Sequence, residues 1–295
     1  MRNDKISVII PSNNRKNWSR LIKNLKSDKI DYEILFIGPV YSHSKNKKIK
    51  IITSYLKPVQ CLQIGLKYST GNFIIQMADD CLLRGTRDPL YRLYSLSKKY
   101  PNKIISCKYS VNKIPVKSYE YNYLPWDDKT KLPIAPLVKK DDIKKVGGYD
   151  KKFIAVLSDI DLYLRLKQSN KKFFFSNVYI DEDKRFNKSN NLLPTYWSHD
   201  RSNLDRCWIK KLNGEKITLS KTRLERVKKF NNKNINKIAQ GESGKWKFNN
   251  KVYYILINNK LSKILFFMIT MFTNTRHYYI NNIISKMKKK FKKKI

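Results

Sequence analysis

The first 80 residues alternate short apolar runs with stretches of helical spacing. Three runs rich in β-branched residues predict strands, at residues 5–10, 32–37 and 50–53. Apolar residues at helical spacing predict one helix over residues 18–25 and a second from Pro58 through Leu66. A further apolar stretch at residues 71–77 predicts a fourth strand. Strands and helices in this order are typical of an α/β fold with a parallel sheet.

The same alternation continues to residue 180. Further helices are predicted at residues 86–99, in a short segment ending at 146 and at 159–167, and further strands at 103–109 and 172–180. The interval 112–136, rich in Tyr, Pro and Asp, is predicted to be a long loop. We therefore predict a Rossmann-like α/β fold, with a mostly parallel sheet and helices on both faces. The absence of a G-x-G-x-x-G motif argues against a hydride-transfer enzyme.

Composition changes from about residue 187 onward, toward Asn and Lys with scattered aromatic residues. This shift predicts a domain at residues 1–185, an extension at 186–250 and a basic amphipathic helical tail at 251–295. The apolar run 261–272 contains a lysine and falls short of the roughly 18 to 20 residues that a membrane-spanning helix needs.

The chain is strongly basic, with 63 Lys and Arg against 23 Asp and Glu and a formal net charge of +40. Such a charge suggests an anionic partner, although a sequence so rich in Lys, Asn and Ile can acquire it by compositional drift. The lysines clustered at 286–294 would hold the tail on an anionic membrane surface, at about 1 kcal/mol each. A solvated, frayed terminus explains the same lysines equally simply.

The four cysteines are widely and irregularly spaced, with no C-x-x-C pair, so a zinc site is not expected. The first residues lead directly into a strand and lack the apolar core of a signal peptide. We therefore expect reduced thiols and a cytoplasmic protein, with a peripheral position on the inner membrane face left open by the basic tail.

Two adjacent carboxylates, Asp79 and Asp80, follow the apolar run 71–77. Ligands of open α/β sheets bind beyond the carboxyl ends of the strands, where loops carry the chemistry. An ordinary turn is the alternative, because Asp is common in turns.

Four stretches, in order over the first 180 residues, resemble the inverting nucleotide-sugar glycosyltransferases of glycosyltransferase family 2. They are I-S-V-I-I-P-S-N-N-R at 6–15, the segment 57–80 ending in G-N-F-I-I-Q-M-A-D-D, G-G-Y-D-K-K-F at 147–153 and S-D-I-D-L-Y-L-R-L at 158–166. The resemblance implies a GT-A fold, a nucleotide-sugar donor and a divalent cation, Mn²⁺ or Mg²⁺. It also implies that the extension 186–250 lies on the acceptor side.

The resemblance assigns donor-side roles to residues after the first and fourth strands. Asp80 aligns with the metal-binding carboxylate, and Asp79 with the position that contacts the ribose or helps to hold the metal. Residues that align with the nucleotide-binding loop are Pro11, Ser12, Asn13 and Arg15. Ala78 replaces the first Asp of the family's D-x-D motif, which leaves fewer carboxylates for the metal. Residues 37–39, Ile-Gly-Pro, stand where the family has acids that recognise uracil, so the base of the donor stays open.

The acceptor side is assigned to the start of the helix at 159–167. Asp159 aligns with the family's catalytic base, and an N-terminal capping acid is its structural alternative. On a helix, Asp161 points in a different direction from Asp159, so we predict a structural role for Asp161. Ser158 stands where the family has Glu.

Three further features are open. His199, Asp181 or Asp183 could supply another metal ligand, with a surface histidine as the simpler interpretation of His199. Trp126 and the tyrosines of 119–123 could stack on a sugar or could simply pack in a core.

From these observations we expect a metal-dependent inverting glycosyltransferase of the hexosyltransferase type. Its donor would be a nucleotide-diphosphate sugar, most simply a UDP-sugar. Its acceptor would be a hydroxyl of a cell-surface glycan or of a lipid-linked glycan, in polysaccharide biosynthesis. The rival is a catalytically degenerate GT-A-like protein that binds polyanions, either nucleic acid or an acidic membrane surface. Nucleic acid is the less favoured partner.

Overall fold

The computed structural model describes residues 4–183, except 13–14, 41, 55, 57, 117–121, 125–126, 151–152 and 154–156. The predicted extension and tail, with His199, lie outside the described residues, as do Asn13 and Trp126. No helix within the described ranges combines the length and the apolar character that crossing a bilayer requires. Cys61, Cys81 and Cys107 are buried free thiols.

The described helices are α1 (Trp18–Asn24), α2 (Pro58–Tyr68), α3 (Pro89–Lys99), α4 (Lys140–Lys145) and α5 (Ser158–Gln168), and a 3-10 turn at Arg15–Asn17 precedes α1. The strands of the first half are β1 (Lys5–Pro11), β2 (Asp31–Gly38), β3 (Ile49–Thr53), β4 (Phe73–Gln76) and β5 (Cys81–Arg84). Those of the second half are β6 (Lys103–Val111), β7 (Ile114–Pro115), β8 (Asn122–Leu124), β9 (Asp127–Leu132), β10 (Ile134–Lys139) and β11 (Lys172–Glu182).

One large sheet forms the centre of the fold, in the order β3-β2-β1-β4-β10-β6-β11-β5, with β7 paired to β6. The strands β3, β2, β1 and β4 are parallel to their neighbours, as are β6 and β11. The strand β10 runs antiparallel between β4 and β6, and β5 runs antiparallel to β11 at the edge. The predicted α/β fold with a mostly parallel sheet is confirmed.

Helices cover both faces of this sheet, as predicted. Alternate residues of β1 point to opposite cores: Ile9 packs with α2, α4 and α5, whereas Val8 and Ile10 pack with α1 and α3. Gly65 lets α2 approach closely, because a Cβ there would lie 2.3 Å from Cγ2 of Ile9. The period-two pattern of the strand therefore builds two cores at once.

The prediction of a long loop at 112–136 was wrong, because β7, β8, β9 and the start of β10 occupy that interval. The polar strand β9 pairs with β8 in a separate two-stranded ladder, so tertiary pairing rather than an apolar pattern defines it. The four-residue strand β5 was also not predicted, since it follows the Asp-Asp turn directly and is held in place by antiparallel pairing with β11.

A buried carboxylate ties β2 to its neighbours at the end opposite Asp79. Glu33 is 1% exposed, and it accepts hydrogen bonds from Ser7 Oγ at 2.6 Å and from the backbone nitrogen of Thr70 at 2.5 Å. Lys50 Nζ lies 2.7 Å from its second oxygen. Burial alone would raise the pKa of Glu33, but Lys50, Ser7 and Thr70 together lower that pKa to about 2. The ionised carboxylate therefore stabilises the fold.

We predict that Glu33→Gln lowers the free energy of unfolding by about 3 kcal/mol at pH 7, because the pKa falls from 4.5 to about 2 on folding. A lowered carboxyl pKa contributes stability above the unfolded value, and that contribution is lost as pH falls from 4.5 toward 2. Urea unfolding should show that the difference in unfolding free energy between the variant and the parent becomes smaller as pH falls across that range. The control is Asp31→Asn on the same strand, where the carboxylate is 50% exposed and a change below about 0.5 kcal/mol is expected. Equal losses of unfolding free energy in Glu33→Gln and Asp31→Asn would contradict a stabilising role of the Glu33 charge.

Candidate active site

The loops after β1, β2 and β4 meet at the carboxyl ends of the parallel strands. The backbone nitrogen of Ser12 donates to the carbonyl of Ile37 at 2.9 Å, and that of Met77 donates to Ile9 at 3.0 Å. These bonds extend the ladder past the strands and bring the first loop beside the residues that follow β4. The crevice of an open α/β sheet lies in this position.

Asp79 is held in this crevice by a short hydrogen-bonded chain. Ser12 Oγ donates to Oδ2 of Asp79 at 2.7 Å, and Trp18 Nε1 donates to Ser12 Oγ at 2.7 Å. Trp18 itself stacks on Phe36, with ring centroids 4.3 Å apart. Ser12 is fully buried, and its hydroxyl links the ring of Trp18 to the Asp79 carboxylate.

Asp80 lies partly exposed beside Asp79, and the side chain of Ala78 before them is exposed. The carbonyl of Asp80 accepts a hydrogen bond from the backbone nitrogen of Asp183 at 3.0 Å. Its carboxylate accepts a weak bond from Cys81 Sγ at 3.3 Å. Burial raises the pKa of the Cys81 thiol, and the neighbouring Asp80 charge raises it further. Cys81 is therefore a neutral donor that orients the carboxylate.

Two other acids, one near the end of β11 and one directly after it, are paired with arginines. Asp181 is 1% exposed and accepts from Arg84 Nε and Ser110 Oγ, each at 2.7 Å. Asp183 is 2% exposed and pairs with Arg20 Nη1 at 2.7 Å. These contacts give both carboxylates structural partners, and the backbone of Asp183 fixes the Asp80 loop.

The carboxylates of the crevice suit a divalent cation only if other ligands complete its coordination. Among the described residues, no group of three or more His, Cys, Asp and Glu side chains is placed to hold a metal ion. One or two carboxylates that leave most positions to phosphate oxygens and water are the usual set for Mg²⁺ at nucleotide sites. Asp80 beside Asp79 fits that kind of site, and does not fit a site built from protein ligands alone.

The other donor-side residues predicted from the sequence lie around the same loop. Pro11 is the last residue of β1 and is partly exposed. Arg15 is exposed at the start of the 3-10 turn, with its guanidinium carbon 5.9 Å from the centroid of the Trp18 ring. An exposed cation at the mouth of the crevice suits an anionic ligand.

Asp159 lies in the first turn of α5 and is partly exposed. Burial raises the pKa of its carboxyl, while the backbone N–H groups of Ile160 and of Asp159 itself lower it, and the net direction is upward. A carboxylate in this state is a stronger proton acceptor than an ordinary surface Asp.

Asp161 has a structural role, in agreement with the sequence analysis. Its Oδ2 accepts from Arg165 Nη2 at 2.8 Å and from Nε at 3.1 Å, with both side chains fully buried. Burial lowers the pKa of Arg165 to about 10, so the guanidinium stays charged at neutral pH. This pair anchors α5, while Asp159 two residues earlier faces another direction.

Sequence reasoning missed three polar residues that join β4 to α5. Gln76 Nε2 donates to Tyr163 Oη at 3.1 Å, and Tyr149 Oη donates to Gln76 Oε1. The available signal was a glutamine at the end of the otherwise apolar strand β4. Through this bridge the structure brings the helix of Asp159 to the strand that leads to Asp79 and Asp80.

Comparisons with known proteins concern the fold. No protein-family model and no curated protein matches the sequence. The structure is similar to that of TarS residues 1–349 from S. aureus, with a TM-score of 0.51, 12% identity, and coverage of 76% of this chain and 69% of that one. A longer S. aureus TarS structure matches at a TM-score of 0.49 and 12% identity, over 80% of this chain and 45% of that one. The chain thus has a GT-A-like fold, similar to that of a glycosyltransferase.

We predict that Asp159→Asn does not destabilise the protein at pH 7. A carboxyl whose pKa is raised by folding contributes its stability below the unfolded value, 3.8, and loses it as pH rises through the folded value. The ionised form at neutral pH therefore costs stability, and the amide removes that cost. Thermal unfolding should show a melting temperature equal to or above that of the parent at pH 7, with the difference vanishing below the unfolded pKa. A lower melting temperature confined to neutral pH would contradict the burial of this charge.

Proposed function

We propose that this protein is a metal-dependent inverting glycosyltransferase of family 2. It would act as a hexosyltransferase, moving a sugar from a nucleotide-diphosphate donor to a hydroxyl of a glycan. UDP-sugars are the first donors to test. The observation that carries the proposal is the position of Asp79 and Asp80 at the carboxyl end of β4, held to the loop after β1 by Ser12. The GT-A-like fold supports the same reaction class.

The donor side would be formed by Asp79, Asp80 and the exposed Arg15. Asp79 is held by Ser12, and its carboxylate would accept a hydrogen bond from a ribose hydroxyl. Asp80 would hold Mn²⁺ or Mg²⁺, which when bound neutralises the charge of the departing diphosphate. Arg15 adds a fixed positive charge at the mouth of the crevice.

The acceptor side would be formed by Asp159. An acceptor hydroxyl becomes a better nucleophile when a base takes its proton as the new bond to the anomeric carbon forms. The nucleoside diphosphate leaves from the opposite side of that carbon, so the configuration inverts. The raised pKa of Asp159 brings its basicity closer to that needed at neutral pH. Its partial exposure leaves the carboxylate within reach of a hydroxyl from solution.

The proposed class of acceptor is based on the lysine-rich composition of the last residues of the sequence. An acceptor attached to a lipid would be met at the inner face of a membrane, where the seven lysines between 286 and 294 could bind anionic headgroups. We therefore propose a surface or lipid-linked glycan as acceptor and a peripheral position on the cytoplasmic side of the membrane.

The donor site predicts metal-linked nucleotide binding. Calorimetric titration with UDP, GDP and dTDP should show one nucleotide binding with Mn²⁺ and at least about tenfold more weakly in EDTA. Asp80→Ala should abolish the metal-dependent part, because it removes the carboxylate nearest the proposed cation. Asp28→Ala is the control, since that side chain is 84% exposed and far from the crevice. Equal binding by Asp80→Ala and the parent would refute the donor site.

The acceptor site predicts that Asp159→Asn loses transfer without losing donor binding. Removing a general base costs about 10² to 10⁴ in turnover, whereas the metal-dependent nucleotide affinity should stay within about twofold. The control is Asp141→Asn on α4, whose side chain is 84% exposed. Transfer from radiolabelled UDP-sugars to membrane glycans, or donor hydrolysis, supplies the measurement. A fully active Asp159→Asn would assign the base elsewhere.

A further inference from the structure

Gln76 is a polar residue where the fold otherwise places apolar ones. It ends β4, whose preceding residues Phe73, Ile74 and Ile75 are all buried. A buried or half-buried amide costs free energy unless its donor and acceptor both find partners. Its partners should therefore indicate what the glutamine does.

Both ends of the Gln76 amide are bound to tyrosine hydroxyls. Nε2 donates to Tyr163 Oη at 3.1 Å, and Oε1 accepts from Tyr149 Oη. Each tyrosine is only 1% exposed. The amide thus joins three parts of the chain: the strand β4, the turn before Tyr149 and the helix α5.

Each tyrosine is itself fixed by its own element. Tyr149 follows Gly147 and Gly148, which adopt φ values of 88° and 68°, and its backbone nitrogen donates to Gln63 Oε1 of α2 at 3.0 Å. Tyr163 lies four residues after Asp159 on α5, so the two side chains share one face of the helix. The amide of Gln76 therefore meets two rigid hydroxyls.

The Asp159 charge acts on both tyrosines. Burial raises the pKa of Tyr149 and of Tyr163, and the Asp159 carboxylate raises each of these pKa values further. The charge of Arg165 lowers the pKa of Tyr149, and the hydrogen bond with Gln76 lowers that of Tyr163. Since Tyr163 lies one helical turn after Asp159, its hydrogen bond with Gln76 ties the part of α5 that carries the carboxylate to β4.

We infer that Gln76 is a positioning residue, which fixes the helix that carries Asp159 relative to Asp79 and Asp80 through the hydroxyls of Tyr149 and Tyr163. The part that concerns catalysis rests on the proposed function. The structural part, a bridge from the donor strand to the helix of the base, does not.

The direction of the hydrogen bonds gives this bridge a second consequence. Tyr149 donates its hydroxyl hydrogen to Gln76, so it does not donate to Asp159. In Gln76→Leu the Tyr149 hydroxyl would lose this acceptor, and the charge of Asp159, which already acts on it, would attract its hydrogen. A hydrogen bond to the charged carboxylate would stabilise that form and weaken it as a base. On this inference Gln76 holds the helix of Asp159 in place and also keeps Asp159 basic.

The test compares Gln76→Leu, Tyr149→Phe, Tyr163→Phe and a control, Tyr94→Phe. Tyr94 lies on α3, away from the bridge, and its hydroxyl donates to Asp4 at 2.8 Å. Tyr94→Phe therefore removes a tyrosine hydroxyl that is hydrogen-bonded, as the other two Phe variants do. The ¹³C carboxyl signal of Asp159 is identified by its loss in Asp159→Asn and is titrated by NMR in the full-length protein. We expect Gln76→Leu to move the titration midpoint by about half a pH unit or more toward lower pH, and Tyr94→Phe to leave it unchanged.

A double-mutant cycle shows whether Gln76 acts through the tyrosines. In the Tyr149→Phe/Tyr163→Phe protein, Gln76→Leu should cause no further shift, because the hydroxyls that connect it to Asp159 are absent. An Asp159 titration that is unaltered by Gln76→Leu overturns the inference. If Gln76→Leu does not fold, Gln76→Met takes its place with the same expected shift, because methionine keeps the length of the side chain and removes the amide.

Activity supplies an independent readout. Gln76→Leu should lower kcat about 10- to 100-fold and leave the metal-dependent affinity for the nucleoside diphosphate within about twofold. If the parent protein transfers no sugar, the proposed function fails while the titration still decides whether Gln76 positions Asp159. If transfer occurs and Gln76→Leu retains full kcat, the catalytic part of the inference fails.

Discussion

The buried carboxylate of Glu33 is the contact on which the geometry of the crevice depends. It binds Ser7 of β1 and the backbone of Thr70 just before β4, and it pairs with Lys50 of β3. Four neighbouring strands are thereby joined at their amino ends. Since parallel strands keep their register along their length, β1 and β4 run side by side from Ile6 and Phe73 to Ile9 and Gln76. The loops at the far ends then meet, and Ser12 reaches Asp79.

Two classes of carboxylate can be distinguished in the described part of the chain. Asp161, Asp181 and Asp183 are buried and each is bound by an arginine, so their charges are used in holding elements together. Asp80 and Asp159 are partly exposed at the carboxyl end of the sheet. Burying an acid against an arginine anchors a strand or helix, whereas a partly exposed acid remains able to bind a cation or accept a proton. The second class is where function is expected.

Most of the fold could be predicted from the sequence because its central strands and helices carry clear apolar periodicity. The strand β1 alternates between two cores, and α2 begins at the proline that suggested it. The polar strand β9 could not be predicted, since its residues show no apolar alternation and its pairing with β8 is a tertiary contact. The short strand β5 depends on β11, almost 100 residues away in the sequence, for the same reason.

The sequence suggests the candidate acids of the site, but it does not reveal the side chains that contact them. The positions of Asp79, Asp80 and Asp159 followed from strand ends, a helix start and a family resemblance. No local pattern shows that Ser12 is buried against Asp79, or that Arg20 and Arg84 match Asp183 and Asp181. Gln76 was visible as a polar residue in an apolar strand, but its meaning requires Tyr149 and Tyr163, which come from distant turns and helices.

The proposed function requires the crevice at the carboxyl ends of β1 and β4 to hold a nucleoside diphosphate together with a divalent cation. The most direct measurement is an anomalous difference map from crystals of the protein grown with Mn²⁺ and each of UDP, GDP and dTDP. We expect one strong anomalous peak beside the carboxylate of Asp80, with diphosphate density next to it and the ribose toward Asp79. A manganese peak elsewhere, or nucleotide density away from this crevice, would contradict it.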